Sequence, residues 1–138
     1  MTPKPIAIGL LLCDRVIVDK DTNSPSAIGI FTGLAVEHFP SDPQRFSVLA
    51  VLTDAQGDGH GKLVVYRLDD HWLRQEEIYA TEHTIRFPDR FAVVNFNLRV
   101  RTIRFPAAGS YEFVFFVDGD EVAHRRVRAY QAPPGSFV

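Results

Sequence analysis

The sequence contains a single cysteine, Cys13. One thiol cannot form a disulfide within the chain, so an apolar core has to stabilise the fold, and this cysteine usage is typical of a reducing compartment. With 138 residues, 46% of them apolar and 23% charged, the chain is long enough to bury such a core as one domain. We predict a single domain over residues 1–138, with its core at about 6–130 and a flexible tail at 131–138.

Long apolar segments are also absent. No run approaches the roughly 18 to 20 residues that a membrane-spanning helix requires. The apolar run at residues 6–12 is short for a secretion signal, and Leu12 precedes Cys13 where lipoprotein cleavage requires a small side chain. We therefore expect a first β-strand here, no membrane contact and a cytoplasmic location.

No segment shows a sustained apolar period of 3.6 residues. The apolar clusters are short, rich in Val, Ile, Phe and Tyr, and bounded by Gly, Pro, Asp or Asn, which is typical of strands. The one candidate for helical structure is a short turn around Trp72, Leu73 and residues 75–77. The predicted strands cover residues 6–12, 15–19, 27–37, 46–53, 62–68, 77–85, 92–101, 111–118 and 121–129.

The strand pattern predicts an all-β fold, a two-sheet antiparallel β-sandwich of the immunoglobulin-like kind with about seven to nine strands. Tyr111, Phe113 and Phe115 alternate with other residues as on a half-buried strand, and Asp118-Gly119 is a strong hairpin signal. Tyr111 also follows a proline-containing corner. It is either the tyrosine whose hydroxyl bonds back to such a corner in many sandwiches or an ordinary core tyrosine.

The stretch "DKDTNSPSAIGI", residues 19–30, begins with oxygen-bearing side chains at alternate positions, as a calcium loop does. An EF-hand loop needs Gly at its sixth position and Glu at its twelfth, but Ser24 and Ile30 stand there. Asp, Asn, Thr and Ser also build turns by bonding their own backbone. We predict a polar turn with no metal and no cofactor.

Three glycines at alternate positions, Gly57, Gly59 and Gly61, raise the question of a phosphate loop. A P-loop would lead through Gly-Lys-Ser/Thr into a helix, whereas Gly61-Lys62 leads into a predicted strand. We predict a flexible loop between two strands.

No catalytic centre is recognisable. Cys13 follows three leucines, so a small buried apolar residue is the favoured interpretation, and the adjacent Asp14 would raise its pKa. No two histidines have metal-ligand spacing. We therefore expect no enzyme and no catalytic residues, although Asp14, a histidine and loop carboxylates brought together by folding remain a third hypothesis for a small-ligand or hydrolytic site.

Charge is unevenly distributed along the chain. Residues 1–84 carry a net charge of −5 and residues 85–138 carry +3. Candidate binding residues in the basic half are the arginines of two predicted strands: Arg99, Arg101, Arg126 and Arg128. They could bind nucleic acid or an acidic partner, but acidic strands could instead pair with them across a sheet. The isoelectric point near 6.2 makes nucleic acid the less expected ligand.

Two motifs carry a resemblance to a family. One is "LLCD", residues 11–14, and the other is "PAAGSYEF", residues 106–113, which is followed by the Asp118-Gly119 hairpin. Over about residues 7–129 it resembles an uncharacterised bacterial family of small all-β proteins, a domain of unknown function. The resemblance implies a bacterial, cytoplasmic β-sandwich and transfers no catalytic residue.

These observations favour a non-enzymatic β-sandwich that acts as a protein–protein interaction or accessory structural module. Its partner is an unknown protein, and a homodimer formed through a sheet edge is the simplest case. The alternative is nucleic-acid or acidic-partner binding through the arginine-rich sheet face.

Overall fold

A computed structural model describes residues 4–133, and the regular structure in this range is entirely β. None of it is a helix of the length and apolarity needed to cross a membrane. The nine strands are β1 (Ile6–Val18), β2 (Pro25–Ile30), β3 (Gly33–Val36), β4 (Gln44–Thr53), β5 (Gly57–Leu68), β6 (Arg74–Phe87), β7 (Val94–Ile103), β8 (Gly109–Val117) and β9 (Asp120–Gln131).

The strands form two sheets, one of four strands in the order β2-β1-β4-β7 and one of five in the order β3-β9-β8-β5-β6. The predicted all-β, two-sheet sandwich is confirmed. Its pairings are antiparallel except that β3 runs parallel to β9. The immunoglobulin-like arrangement of the connections stays a prediction.

The core lies between the sheets and follows the alternation of the strands. On β8, Tyr111, Phe113 and Phe115 are fully buried, as the alternation predicts. On β7, Leu98 and Val100 are buried in the same core. Because these side chains point inward, the intervening residues of each strand lie on the two outer faces of the sandwich.

The predicted break between strands 6–12 and 15–19 is wrong, because β1 is continuous. β1 pairs with β4 from Ile6 to Cys13 and with β2 from Cys13 to Val18. The polar residues after Cys13 therefore mark a change of neighbour and not the end of a strand.

The predicted strand 27–37 is also wrong in its extent, since it divides into β2 and β3 in different sheets. The chain leaves the first sheet at Ile30 and begins pairing with β9 at Gly33. An apolar run that crosses from one sheet to the other cannot be distinguished by composition from one long strand.

The predicted loop at Gly57, Gly59 and Gly61 is the first half of β5. A Cβ at Gly61 would lie 2.6 Å from the Ile85 side chain, and one at Gly59 would lie 3.1 Å from the Phe87 ring. The glycines are therefore there because side chains of the neighbouring strand β6 pack directly against the β5 backbone.

Three smaller predictions can be compared with the structure. The Tyr111 hydroxyl donates a 2.6 Å hydrogen bond to the Ala107 carbonyl, so the corner interpretation is confirmed. The turn before β6 is confirmed at Trp72, which has a positive φ, but its predicted extension over residues 75–77 is wrong, because β6 begins at Arg74. The predicted tail starts too early, because Gln131 ends β9 and Ala132 is buried; residues 134–138 of that tail lie outside the described range.

Candidate functional site

The four candidate arginines lie on different sheets. Arg99 and Arg101 are on β7, an edge strand of the four-stranded sheet, and Arg126 and Arg128 are on β9 of the five-stranded sheet. All four are exposed. The structure therefore does not assemble them into one surface, and the two outer faces have to be considered separately.

On the five-stranded sheet Arg74 and Arg126 are paired around a buried carboxylate, whereas Arg128 has no ion pair within residues 4–133. Glu112 is only 4% exposed. Arg74 Nε donates to its Oε1 at 2.7 Å, and Arg126 Nε donates to its Oε2 at 3.3 Å. Arg74 also donates to Glu121 at 2.7 Å through its second guanidinium arm. These charges neutralise one another within the face.

Aromatic rings add to this network. The Arg126 guanidinium lies 5.3 Å from the ring centroid of Trp72, and that of Arg74 lies 5.0 Å from Tyr66, both within the range of cation–π contacts. Hydrogen bonding to Arg74 lowers the pKa of Glu121 below its usual value. The guanidinium groups of Arg74 and Arg126 therefore have their carboxylate and aromatic partners within this face.

On the four-stranded sheet, cross-strand pairing places the outward residues in rows. One row crosses the sheet through Ile30, Cys13, Ser47 and Arg99, which are successive partners on β2, β1, β4 and β7. Arg101 is two residues further along β7 and so lies on the same face.

A depression of about 350 Å³ lies on this face where β1 separates from β4. Pairing between the two strands ends at Cys13 and Ser47, and β1 continues beside β2 only. The depression is lined by residues of β1, β4 and β7: Asp14, Arg15, Val16, Arg45, Phe46, Ser47, Asn97, Arg99, Val100 and Arg101.

The arginines of this depression lack carboxylate partners. Within residues 4–133, no ion pair involves Arg15, Arg45, Arg99 or Arg101. Asp14 lines the same depression, but its side chain lies against Gly29, where a Cβ would overlap the carboxylate. Positive charge is therefore concentrated at this site without internal compensation.

Uncharged polar groups contribute to the same depression. Ser47 is buried, and the Oδ1 atom of Asn97 is buried with no hydrogen-bond partner in the described part of the chain. A buried amide oxygen without a partner is uncommon in folded proteins. A donor from another molecule would reach it only after the amide rotates.

Aliphatic side chains extend from the arginines across the rest of the face. Ile17, Ile28 and Ile30 are exposed on β1 and β2. Leu11, which is half-buried, and Leu49, which is buried, are neighbours on β1 and β4 in the next row. We call the four arginines of the depression together with these five aliphatic residues the arginine–aliphatic face.

Of the four arginines that line the depression, the sequence analysis named two, Arg99 and Arg101. Arg15 and Arg45 were not candidates, because no spacing rule joins residues of three strands whose order in the sheet is unknown. The alternation of Arg99 and Arg101 along β7 was the only local signal, since it showed that both lie on one side of a strand.

The remaining sequence candidates are explained by local structure. Asp19 Oδ1 accepts hydrogen bonds from the backbone amides of Asp21 and Thr22, at 2.8 and 2.9 Å, so the predicted polar turn is confirmed. Cys13 is fully buried, and burial, followed by the charge of Asp14, raises the pKa of its thiol. Such a thiol is a poor nucleophile.

The histidines do not converge with Asp14. His38 pairs with Asp42, His60 with Glu82 and His124 with Glu121, all at exposed positions. Across residues 4–133 no three His, Cys, Asp or Glu side chains are grouped closely enough to hold a metal ion.

The chain is thus a small β-sandwich with an ion-pair network around Glu112 on one outer face and a cluster of arginines without ion pairs on the other. It belongs to a family of unknown function (DUF6941), whose profile matches residues 9–129. No curated protein matches the chain. Among solved structures, a candidate lipoprotein from Bacillus anthracis is similar with a TM-score of 0.42 and 12% sequence identity, covering 86% of this chain and 85% of that one.

Proposed function

We propose that this domain is a non-enzymatic interaction module that binds an acidic protein segment through the arginine–aliphatic face. The observation that supports this most directly is that its four arginines lack ion pairs, while four arginines on the opposite sheet have them: Arg67, Arg74, Arg86 and Arg126. Grouping like charges without counter-charges is unfavourable unless another molecule supplies them.

The aliphatic residues favour a protein over a nucleic acid. Non-specific single-strand binders combine basic grooves with aromatic rings on which bases stack. The outward residues of this face beside the arginines are Ile, Leu, Ser and Asn, which suit the apolar and polar contacts of a protein interface. The overall net charge of −2 also favours a short acidic protein segment over a long polyanion such as nucleic acid.

The test is affinity capture from a lysate of the source organism, with and without nuclease, using two matched variants. Arg101→Glu and Arg128→Glu make the same charge change at exposed strand positions on opposite sheets. We expect a stoichiometric acidic protein to be captured by the wild type and by Arg128→Glu, and to be lost with Arg101→Glu.

Two results would contradict the proposal. Equal recovery by all three proteins would show that the arginine–aliphatic face is not the contact surface. Recovery that disappears with nuclease, and weakens steeply with salt, would establish the nucleic-acid alternative instead.

Self-association remains a prediction, with β2, β7, β3 and β6 as the sheet edges at which it could occur. Sedimentation at several protein concentrations would test it. A cytoplasmic location is likewise proposed and not shown; the buried free thiol of Cys13 is compatible with it.

A further inference from the structure

We infer that the depression between β1, β4 and β7 binds a phosphoryl group carried on the partner's polypeptide. This inference rests on the proposed function, because it specifies the chemistry of the acidic partner. The residues that would bind it are Arg15, Arg45, Ser47, Asn97, Arg99 and Arg101.

Charge balance favours a phosphoryl group over a single carboxylate. Four guanidinium groups and one carboxylate, that of Asp14, line the depression. One carboxylate from a ligand would leave most of that positive charge uncompensated. A phosphoryl group carries about −1.5 to −2 charges at neutral pH and three strong acceptor oxygens, so it can engage several arginines at once.

The shape of the site supports the same ligand. The depression, at about 350 Å³, has roughly ten times the volume that one water molecule occupies in the liquid. It can therefore accept a phosphoryl group together with the side chain that carries it. The opening results from the separation of β1 from β4 beyond the pair Cys13 and Ser47, so it is part of the sheet and not of a loop.

Asn97 adds a contact that a peptide-borne group can use. Its Oδ1 is an acceptor without a partner in residues 4–133, and the ionised oxygens of a phosphoryl group are acceptors themselves. A backbone N–H of a bound peptide can donate to it after a rotation of the amide. Ser47 and the arginines would then contact the phosphoryl oxygens while Asn97 contacts the peptide.

The experiment is a two-dimensional amide NMR titration of the full chain at constant ionic strength. The probes are inorganic phosphate and one synthetic peptide of serine, leucine and glycine made in three forms, with phosphoserine, glutamate or serine at its centre. We expect saturable shifts at Ser47, Asn97 and Arg99, and about ten-fold tighter binding of the phosphoserine form than of the glutamate form.

Matched variants locate the site. Arg101→Ala should weaken binding of the phosphoserine peptide about five-fold or more, since charge-assisted hydrogen bonds are lost. Arg128→Ala removes an arginine that is also exposed, but on the other sheet, and should leave the affinity unchanged. Equal weakening by both variants, or shifts scattered over both sheets, would overturn the inference.

The remaining outcomes separate this inference from the proposed function. If the glutamate peptide binds as tightly as the phosphoserine peptide at the same residues, the acidic-partner function is supported and the phosphoryl inference is wrong. If inorganic phosphate binds as tightly as the phosphopeptide, the requirement for a polypeptide is wrong. If no probe binds and Arg101→Glu leaves capture of the partner unchanged, both proposals fail.

Discussion

Arginines occur on both outer faces of the sandwich, but only the five-stranded sheet surrounds them with carboxylates. Its strands β5, β6, β8 and β9 contain seven Asp and Glu residues, whereas the four strands of the other sheet contain only Asp14. Arg74 and Arg126 are therefore fixed by Glu112, and the arginines of the depression are not.

The comparison shows that similar residues serve different purposes according to their neighbours. A buried carboxylate such as Glu112 requires its arginines, because an unpaired buried charge is strongly unfavourable. An exposed arginine does not require a carboxylate for folding. We therefore expect the four arginines of the depression to be replaceable at little cost in stability, and replacement of Glu112 to be destabilising.

The largest expected effect on stability comes from removing Glu112, the carboxylate that Arg74 and Arg126 share. Glu112→Ala leaves Arg74 and Arg126 without their shared partner and should lower the free energy of unfolding by about 2–3 kcal/mol, measured by urea denaturation. Glu82→Ala, which removes an exposed ion pair with Lys62, should lower it by less than about 1 kcal/mol. Equal effects would show that burial of Glu112 carries no special weight.

A smaller effect is expected at Trp72, which is 50% exposed and has a φ of 64°. Its left-handed backbone is favourable only for glycine, while its ring contacts Arg126. Both Trp72→Gly and Trp72→Ala lose the ring. The glycine variant should be more stable than the alanine variant by about 1 kcal/mol in thermal or urea unfolding, and the reverse order would contradict strain at this turn.

The ion pair between Arg74 and Glu121 should make the stability of the fold sensitive to acid. Hydrogen bonding to Arg74 lowers the pKa of Glu121 in the folded state below its usual value of 4.5. A lowered pKa stabilises the fold above the unfolded value, and this contribution is lost as the pH falls through the folded value. Wild type should exceed Glu121→Gln in stability by less than about 1 kcal/mol at pH 7, and by nothing at about pH 2.

The smallest expected effect belongs to the unpaired arginines. Arg99→Ala and Arg101→Ala should each change the free energy of unfolding by no more than about 0.5 kcal/mol, since no partner in residues 4–133 is lost. A clear loss of stability in either variant would mean that these arginines serve the fold, and it would remove the basis for an interaction role.

The sequence allowed the sandwich, the core positions of β8, the Tyr111 corner and the Asp118-Gly119 hairpin to be predicted. Each of these depends on local alternation or turn chemistry. The glycines of β5 were misread because what surrounds them, Ile85 and Phe87, lies on another strand. The long first strand was divided because a polar pair, Asp14-Arg15, resembles a strand end.

The sequence by itself determined that the fold is an all-β sandwich, because apolar alternation and turn residues act over a few neighbouring positions. Only the tertiary structure decided which polar and charged side chains lie together. Strand pairing places Ser47 beside Arg99, and Arg15 and Arg45 line the same depression where β1 separates from β4. Strand order and register fix these distances, and neither is encoded in the spacing of residues along one strand.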